Sequence, residues 1–275
     1  MTVDDALREA ALRLEGSPTP RLDAEVLLSH VCSRDRTWLY TWGDRELTEA
    51  ELATFVDLIE RRVGGCPVAY LTGVREFWGL SLQTSASTLI PRPDTECLVE
   101  VALACAGEQG ALLDLGTGTG AIALAFASEK PQWQVTGADL TEETVALARA
   151  NAQALGIVNA TFRQSDWFAA MPGERYDLIV SNPPYIANDD PHLGQADVRF
   201  EPRSALVAEA HGMAALLHLV EMAPDHLRSG AWLWLEHGYD QAAAVRDALT
   251  QRGFQQVESY RDLGGHERVS GGQWC

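Results

Sequence analysis

Basic charge is scarce in this chain. One lysine, Lys130, stands in 275 residues, and basic side chains number 21 against 39 acidic ones, for a formal net charge of −18. A protein that follows nucleic-acid phosphates needs a basic face, because neutralising those phosphates supplies much of its affinity. Direct nucleic-acid binding is therefore not expected, and the acidic balance speaks mainly to solubility. Paired cysteines are missing too. Cys32, Cys66, Cys97, Cys105 and Cys275 form no CxxC, and an odd count makes a poor disulfide framework. The seven histidines show no HExxH or other ligand spacing, so no metal is expected. No stretch approaches the roughly 20 apolar residues of a membrane span. The opening "MTVDDALREAALRLEG" lacks the basic start and apolar middle of a signal peptide. These absences describe a cytoplasmic protein in a reducing compartment, with no membrane association.

The hydrophobic content of 46% supports a packed core, and the length allows one large domain or two ordinary ones. Residues 1–73 read as helical. Val3, Ala6, Leu7, Ala10, Ala11 and Leu14 recur at helical spacing before Gly16, and "RLDAEVLLSHVCS" and "TEAELATFVDLIERRVGG" repeat the pattern. Residues 74–91 alternate apolar with polar or small side chains around Gly79, which predicts two short strands and a turn, a β-hairpin linker. From 92 to 275 strands alternate with helices of ten or more residues. That rhythm predicts an α/β fold, a mostly parallel sheet covered on both faces.

Within it, "LLDLGTGTGAIALAFA" runs strand, glycine turn, helix. Gly116, Gly118 and Gly120 allow a sharp turn and a close backbone approach to a ligand. Asp139 ends the next strand, 19 residues past Gly120, where a carboxylate can accept both hydroxyls of a ribose. A dinucleotide fingerprint is G-x-G-x-x-G with the pyrophosphate on the helix N-terminus. This loop is one residue shorter, and the acidic Asp114 precedes it. A cationic sulfonium or ammonium suits that carboxylate better than a pyrophosphate, so S-adenosylmethionine fits and NAD fits less well. "SDWF" at 165–168 then brings Asp166 and Trp167 beside the adenine, Trp167 either stacking on the base or belonging to the core.

The apolar run "YDLIV" leads straight into "SNPPYIA" at 181–187. Two prolines neither pair as sheet nor continue as helix, so they make a stiff extended corner. Ligands of open α/β sheets bind at the carboxyl ends of strands, where this corner lies. A planar nitrogen is a poor nucleophile because its lone pair is delocalised. Asn182, through its side-chain oxygen, and Pro183, through its carbonyl, can accept from such an N–H₂ group, hold it in line, and stabilise its growing positive charge. Tyr185 can pack on the flat face of the group.

These residues resemble those of S-adenosylmethionine-dependent methyltransferases that act on planar nitrogens. With "TLIPRPDTE" (88–96), "FEPRSALVA" (200–208), "LEHGYDQ" (235–241) and "DLGGHERV" (262–269), the set is similar to the HemK/PrmC-type peptide chain release factor glutamine methyltransferases. The resemblance spans nearly the whole chain and is weakest over residues 1–65. It implies a class I S-adenosylmethionine-dependent methyltransferase fold, Rossmann-like with a mostly parallel seven-stranded sheet, a small N-terminal helical domain that recognises substrate, and a hairpin linker. It also implies methyl transfer to the amide nitrogen (N5) of the glutamine in the release factors' Gly-Gly-Gln motif. Cofactor contacts carried over by position are Gly116, Thr117, Gly118, Thr119, Gly120, Asp139, Trp167 and Asn182; glutamine contacts are Asn182, Pro183, Pro184 and Tyr185. Three rival readings stand beside it: an adenine-N6 methyltransferase on DNA or RNA using the same corner, an NAD-dependent oxidoreductase, and a non-catalytic binding module. Arg92 either steers or covers the pocket or makes a structural ion pair. Residues 271–273 themselves spell Gly-Gly-Gln, read as chance in a glycine-rich tail rather than as a self-methylation site.

Overall fold

Helix signals at the start of the chain become five helices: α1 (Val3–Arg13), α2 (Pro20–Cys32), α3 (Arg36–Thr41), α4 (Glu49–Val63) and α5 (Val68–Thr72). The computed structural model describes residues 1–194 and 196–275. Thr48 and Glu51 form a reciprocal capping box that starts α4. Val3, Leu7 and Ala10 of α1, Leu27 and Leu28 of α2, and Phe55, Leu58 and Ile59 of α4 share one buried cluster. The short α3 and α5 carry too few turns to show a period, which is why only the three long helices are legible in the sequence.

Contacts divide the chain into two units, Met1–Val74 with Gly194–Phe200, and Arg75–Leu193 with Glu201–Cys275. This division differs from one drawn on periodicity, which leaves 194–200 inside the 92–275 region and sets the hairpin apart as a linker. Charge is the physical reason for the first difference. Arg62, at the end of α4, pairs with Asp23 at 2.8 Å and with Asp197 at 2.7 Å, and Arg199 donates to the Gly64 carbonyl at 2.6 Å.

The second unit, from Arg75 on, holds all but the first residue of the hairpin β1 (Val74–Phe77) and β2 (Leu80–Gln83). Trp78 and Gly79 turn it with φ of +55° and +70°, both left-handed, the requirement of a tight two-residue hairpin turn. Asn151 fastens β2 to the rest of the unit, accepting from Gln83 N–H at 2.7 Å and donating to the carbonyls of Gln83 and Thr119. Then follow α6 (Glu96–Cys105), β3 (Gly110–Leu115), α7 (Ala121–Glu129), β4 (Trp133–Asp139), α8 (Glu142–Leu155), β5 (Ala160–Gln164) and β6 (Tyr176–Ser181). The chain ends through α9 (Arg203–Leu206), α10 (Ala214–Met222), β7 (Leu227–Glu236), α11 (Ala242–Arg252), β8 (Gln255–Arg261) and β9 (Glu267–Trp274).

Seven strands make one sheet in the order β5-β4-β3-β6-β7-β9-β8, parallel except for β9, which runs antiparallel to both neighbours. Alternate residues feed opposite faces. Leu112, Leu178 and Trp234 enter one core, and Leu113, Ile179 and Leu233 enter the other. Strand order reverses between β3 and β6, so a crevice opens at their carboxyl ends. The glycine loop leaves β3 there, and the Asn-Pro-Pro corner leaves β6 beside it.

The C-terminal Gly-Gly-Gln has a packing reason that the expectation of chance overlooked. A Cβ at Gly271 would lie 2.1 Å from the Trp234 ring, so glycine is needed for β9 to pass that indole. Gln273 is spent within the sheet, donating to the Gly230 carbonyl at 2.9 Å and accepting from Gln256 at 2.6 Å.

Candidate active site

The loop after β3 is built by backbone geometry. Gly116 and Gly118 have φ of +71° and +56°, and a Cβ on Gly118 would meet no other atom within 4 Å. The space over the loop is therefore open to a ligand. Gly120 has a different task, since its Cβ would press on Leu124, Phe162 and Ala148 at 3.1–3.3 Å. The third glycine lets α7 start close against its neighbours.

Two carboxylates hold this loop. Asp139 accepts from Gly118 N–H at 2.9 Å and from Leu140 N–H at 2.8 Å, and burial pushes its pKa up. Asp114 is fully buried and accepts, on one oxygen, from the Thr117 hydroxyl at 2.6 Å and from Ala123 N–H at 3.2 Å. Its other oxygen has no partner, and burial, helped by the Asp139 charge, pushes its pKa up to about 7. Asp114 does not reach the cavity wall, contrary to its expected direct part in receiving a cation. It sits beneath the loop and accepts from the Ala123 N–H in the first turn of α7. A pyrophosphate placed at that helix end would find the Ala123 N–H already engaged. The dinucleotide reading loses its anion site.

The crevice at the switch point is walled by Thr117, Gly118, Asp139, Asp166, Trp167 and Asn182, together with residues from three segments that sequence reasoning gave no cofactor role. Those are Ser87–Leu89, Arg92 with Thr95, and Ser204 with Ala205. Their motifs are visible in the sequence, but a run such as "IPRPDTE" has no spacing that announces a cavity wall. Trp167 has φ of +46°, a strained setting for a bulky side chain that costs on the order of 1–3 kcal/mol. Trp167 lines the crevice and also packs against the second core and beside the His218 ring, so both of its readings find a counterpart in the structure.

Among the four corner residues, Asn182 alone lines this crevice. Its side-chain nitrogen donates to the Thr95 hydroxyl at 3.2 Å. Pro183 is buried and Pro184 half-buried. Tyr185 is directed away from the crevice wall, and its phenol donates to Glu236 at 3.2 Å. Both flanks of the corner are tied. Ser181 donates to the Leu115 carbonyl at 2.6 Å, and Gln241 donates to the Tyr185 carbonyl at 3.0 Å. Gly212 makes room for that carbonyl, because a Cβ there would lie 2.1 Å from it. Ile186 then bridges to Val207 as a single parallel pair. Arg92, for which two roles stood open, pairs with Glu201, one guanidinium nitrogen reaching both carboxylate oxygens at 2.7 Å. The Glu201 side chain is wholly buried, so the ion-pair role is visible in the geometry, and Arg92 lines the crevice as well.

A model of the PrmC N-terminal domain matches residues 5–73, and a methyltransferase small-domain model matches residues 93–200. The release factor glutamine methyltransferase of Escherichia coli K12 is 52% identical over 98% of this chain and 97% of its own. That of Vibrio cholerae is 53% identical over 100% and 97%. The chain belongs to the release factor glutamine methyltransferases. The fold of this methyltransferase is that of class I S-adenosylmethionine-dependent enzymes. A methyltransferase from Pyrococcus furiosus superposes with a TM-score of 0.54 at 19% identity, over 71% of this chain and 89% of that one, a likeness of fold alone. The cofactor of the methyltransferase is S-adenosylmethionine. The open space over Gly118, with Asp139 and Trp167 on the crevice wall, leaves room for an adenosine moiety.

Proposed function

We propose that this enzyme transfers a methyl group to the side-chain amide nitrogen of the glutamine in the Gly-Gly-Gln motif of peptide chain release factors, supporting translation termination. When bound, S-adenosylmethionine supplies a methyl carbon made electrophilic by its sulfonium charge. The loop Gly116–Gly120, Asp139, Asp166 and Trp167 hold the nucleoside. Asn182 and the Pro183 carbonyl accept the two amide N–H bonds of the glutamine, which fixes the plane of a resonance-weakened nucleophile and favours the charge it develops. Transfer converts N–H₂ to N–H–CH₃ with loss of one proton.

The observation that carries this reading is the side chain of Asn182. Its nitrogen is engaged by Thr95, another residue of the crevice wall, so its oxygen is the atom left to accept from a substrate. Tyr185, tethered at its phenol, supports the corner rather than swinging freely.

We assign release-factor recognition to the helical unit, because one glutamine side chain offers far less surface than a specific protein interface needs. Among the described residues no helix is long and apolar enough to cross a membrane, and translation factors place the reaction in the cytoplasm. The test is mass mapping after incubation with release factor and cofactor. A gain of one methyl on the Gly-Gly-Gln glutamine is expected, and label entering only DNA or RNA would instead select the adenine-N6 reading. Asn182→Ala should abolish most turnover while cofactor Kd stays within about tenfold, ~1.4 kcal/mol.

A further inference from the structure

The last residue of the motif "LEHGYDQ" (235–241) reaches the Asn-Pro-Pro corner. Gln241 stands just ahead of α11, and its side-chain oxygen accepts from Gly238 N–H at 2.9 Å. Its side-chain nitrogen donates to the Tyr185 carbonyl at 3.0 Å and to the His211 carbonyl at 3.4 Å. All three partners are backbone groups with one role each, an N–H that only donates and two carbonyls that only accept. The amide is therefore held one way round. Gly238 is fixed in turn, since its carbonyl accepts from Gln241 N–H at 3.0 Å and lies 2.8 Å from Nδ1 of the buried His237.

The receiving side is built from strained backbone. Ala210 and His211 have φ of +54° and +55°, left-handed settings that strain residues other than glycine and that collect at functional sites. Gly212 follows at +83°, and a Cβ there would lie 2.1 Å from the Tyr185 carbonyl oxygen and 2.8 Å from the Gln241 side-chain nitrogen. Three consecutive left-handed residues thus stand around one hydrogen bond.

The prolines leave a need for that bond. They fix φ at residues 183 and 184 and hold residues 182 and 183 extended. Free rotation resumes at ψ of Pro184 and at Tyr185. Ser181 ties the entry of the corner to the Leu115 carbonyl. The exit is tied by Gln241 and, through the phenol, by Glu236. A stiff corner held at its entry alone would pivot as a unit, and the Pro183 carbonyl would swing with it.

We propose that Gln241 is a positioning residue for methyl transfer, whose amide clamps the Tyr185 peptide and so keeps Asn182 and the Pro183 carbonyl in register with the substrate nitrogen. The proposal rests on the reading of those two groups as the acceptors of the glutamine amide. Gln241 does not line the crevice, so it acts only through the backbone it holds.

Gln241→Glu keeps the shape and still accepts from Gly238, but its carboxylate turns an acceptor toward two carbonyls. Its kcat on release factor at about pH 8 should fall about 10- to 100-fold, the scale of a lost hydrogen bond that leaves acceptors unpaired. Cofactor Kd should be unchanged. A protonated carboxyl can donate again, so kcat relative to the parent should climb several-fold as pH falls from about 8 to about 5.5. His211, His237, Asp240 and Glu236 flank the clamp in both proteins, so the ratio at each pH removes their own titrations. Gln241→Met lacks the donor at every pH and should show a comparable loss with a flat ratio. Parent-like kcat in both Gln241 variants beside an inactive Asn182→Ala overturns the clamp alone. Parent-like kcat in Asn182→Ala overturns the reading beneath it. A loss in Gln241→Glu that does not relent at low pH, or that tracks weakened cofactor binding, marks a merely structural residue and also overturns the proposal.

Discussion

Replacing Asp114 by asparagine tests the electrostatics under the glycine loop. The side chain is fully buried and its pKa is pushed from 3.8 up to about 7. The folded state therefore holds a proton that the unfolded chain has already released. The sign follows from linkage. Stability from this group is fully present below the unfolded value and is lost as pH rises through the folded one. Above about pH 7 the loss approaches ~4 kcal/mol, at ~1.4 kcal/mol for each pKa unit. Asparagine cannot ionise, and its oxygen can accept from Thr117 and Ala123 as the carboxylate does. Its nitrogen takes the place of the unpartnered oxygen and costs about 1–3 kcal/mol as an unsatisfied donor. That amide cost is independent of pH, so it cancels when two pH values are compared. Between about pH 5 and pH 8 the stability of Asp114→Asn relative to the parent should therefore rise by about 3 kcal/mol. Urea unfolding of the cofactor-free protein at several pH values measures it, provided the slope with urea stays constant. Parallel stability profiles for parent and variant would refute the claim that Asp114 is buried with a raised pKa.

Gly118→Ala should fold, since its Cβ meets nothing, yet φ of +56° strains any other residue by about 1–2 kcal/mol. Calorimetry should show cofactor affinity falling further than that strain, because the methyl projects into the crevice. Arg92→Met removes this ion pair from the buried Glu201 carboxylate and should lose about 1–3 kcal/mol in denaturant unfolding. Leu28→Ala, in the core shared by α1, α2 and α4, should cost about 2–5 kcal/mol by the same assay. Incubation with cofactor alone should leave the mass of the peptide holding Gln273 unchanged, since that amide is engaged inside the sheet.

Local patterns announce much of this molecule. The glycine loop, Asp139 and the Asn-Pro-Pro corner are legible because backbone constraints write themselves into short spacings, and α1, α2 and α4 because each shows several helical turns. What stayed hidden is non-local. Arg92 and Glu201 lie 109 residues apart, and nothing in either neighbourhood foretells their pairing. Thr95 and Glu236 are single polar residues whose importance comes only from what the fold stacks against them. That Asp114 turns under the loop is hidden for a related reason. A strand residue beside a ligand loop can turn its side chain under the loop as readily as over it, and only the packing of α7 decides which. The placement of β9 between β7 and β8 depends on strand order, which periodicity does not encode.

That placement has a consequence for damaged messages. Because β9 sits inside the sheet, a polypeptide cut short before Glu267 would leave β7 and β8 each with a bare row of amides and carbonyls, and would uncover the Trp234 indole. Such exposed edges invite pairing with other chains. A stop codon that removes only these final few residues should therefore yield insoluble material bound for proteolysis, not a slightly weakened enzyme.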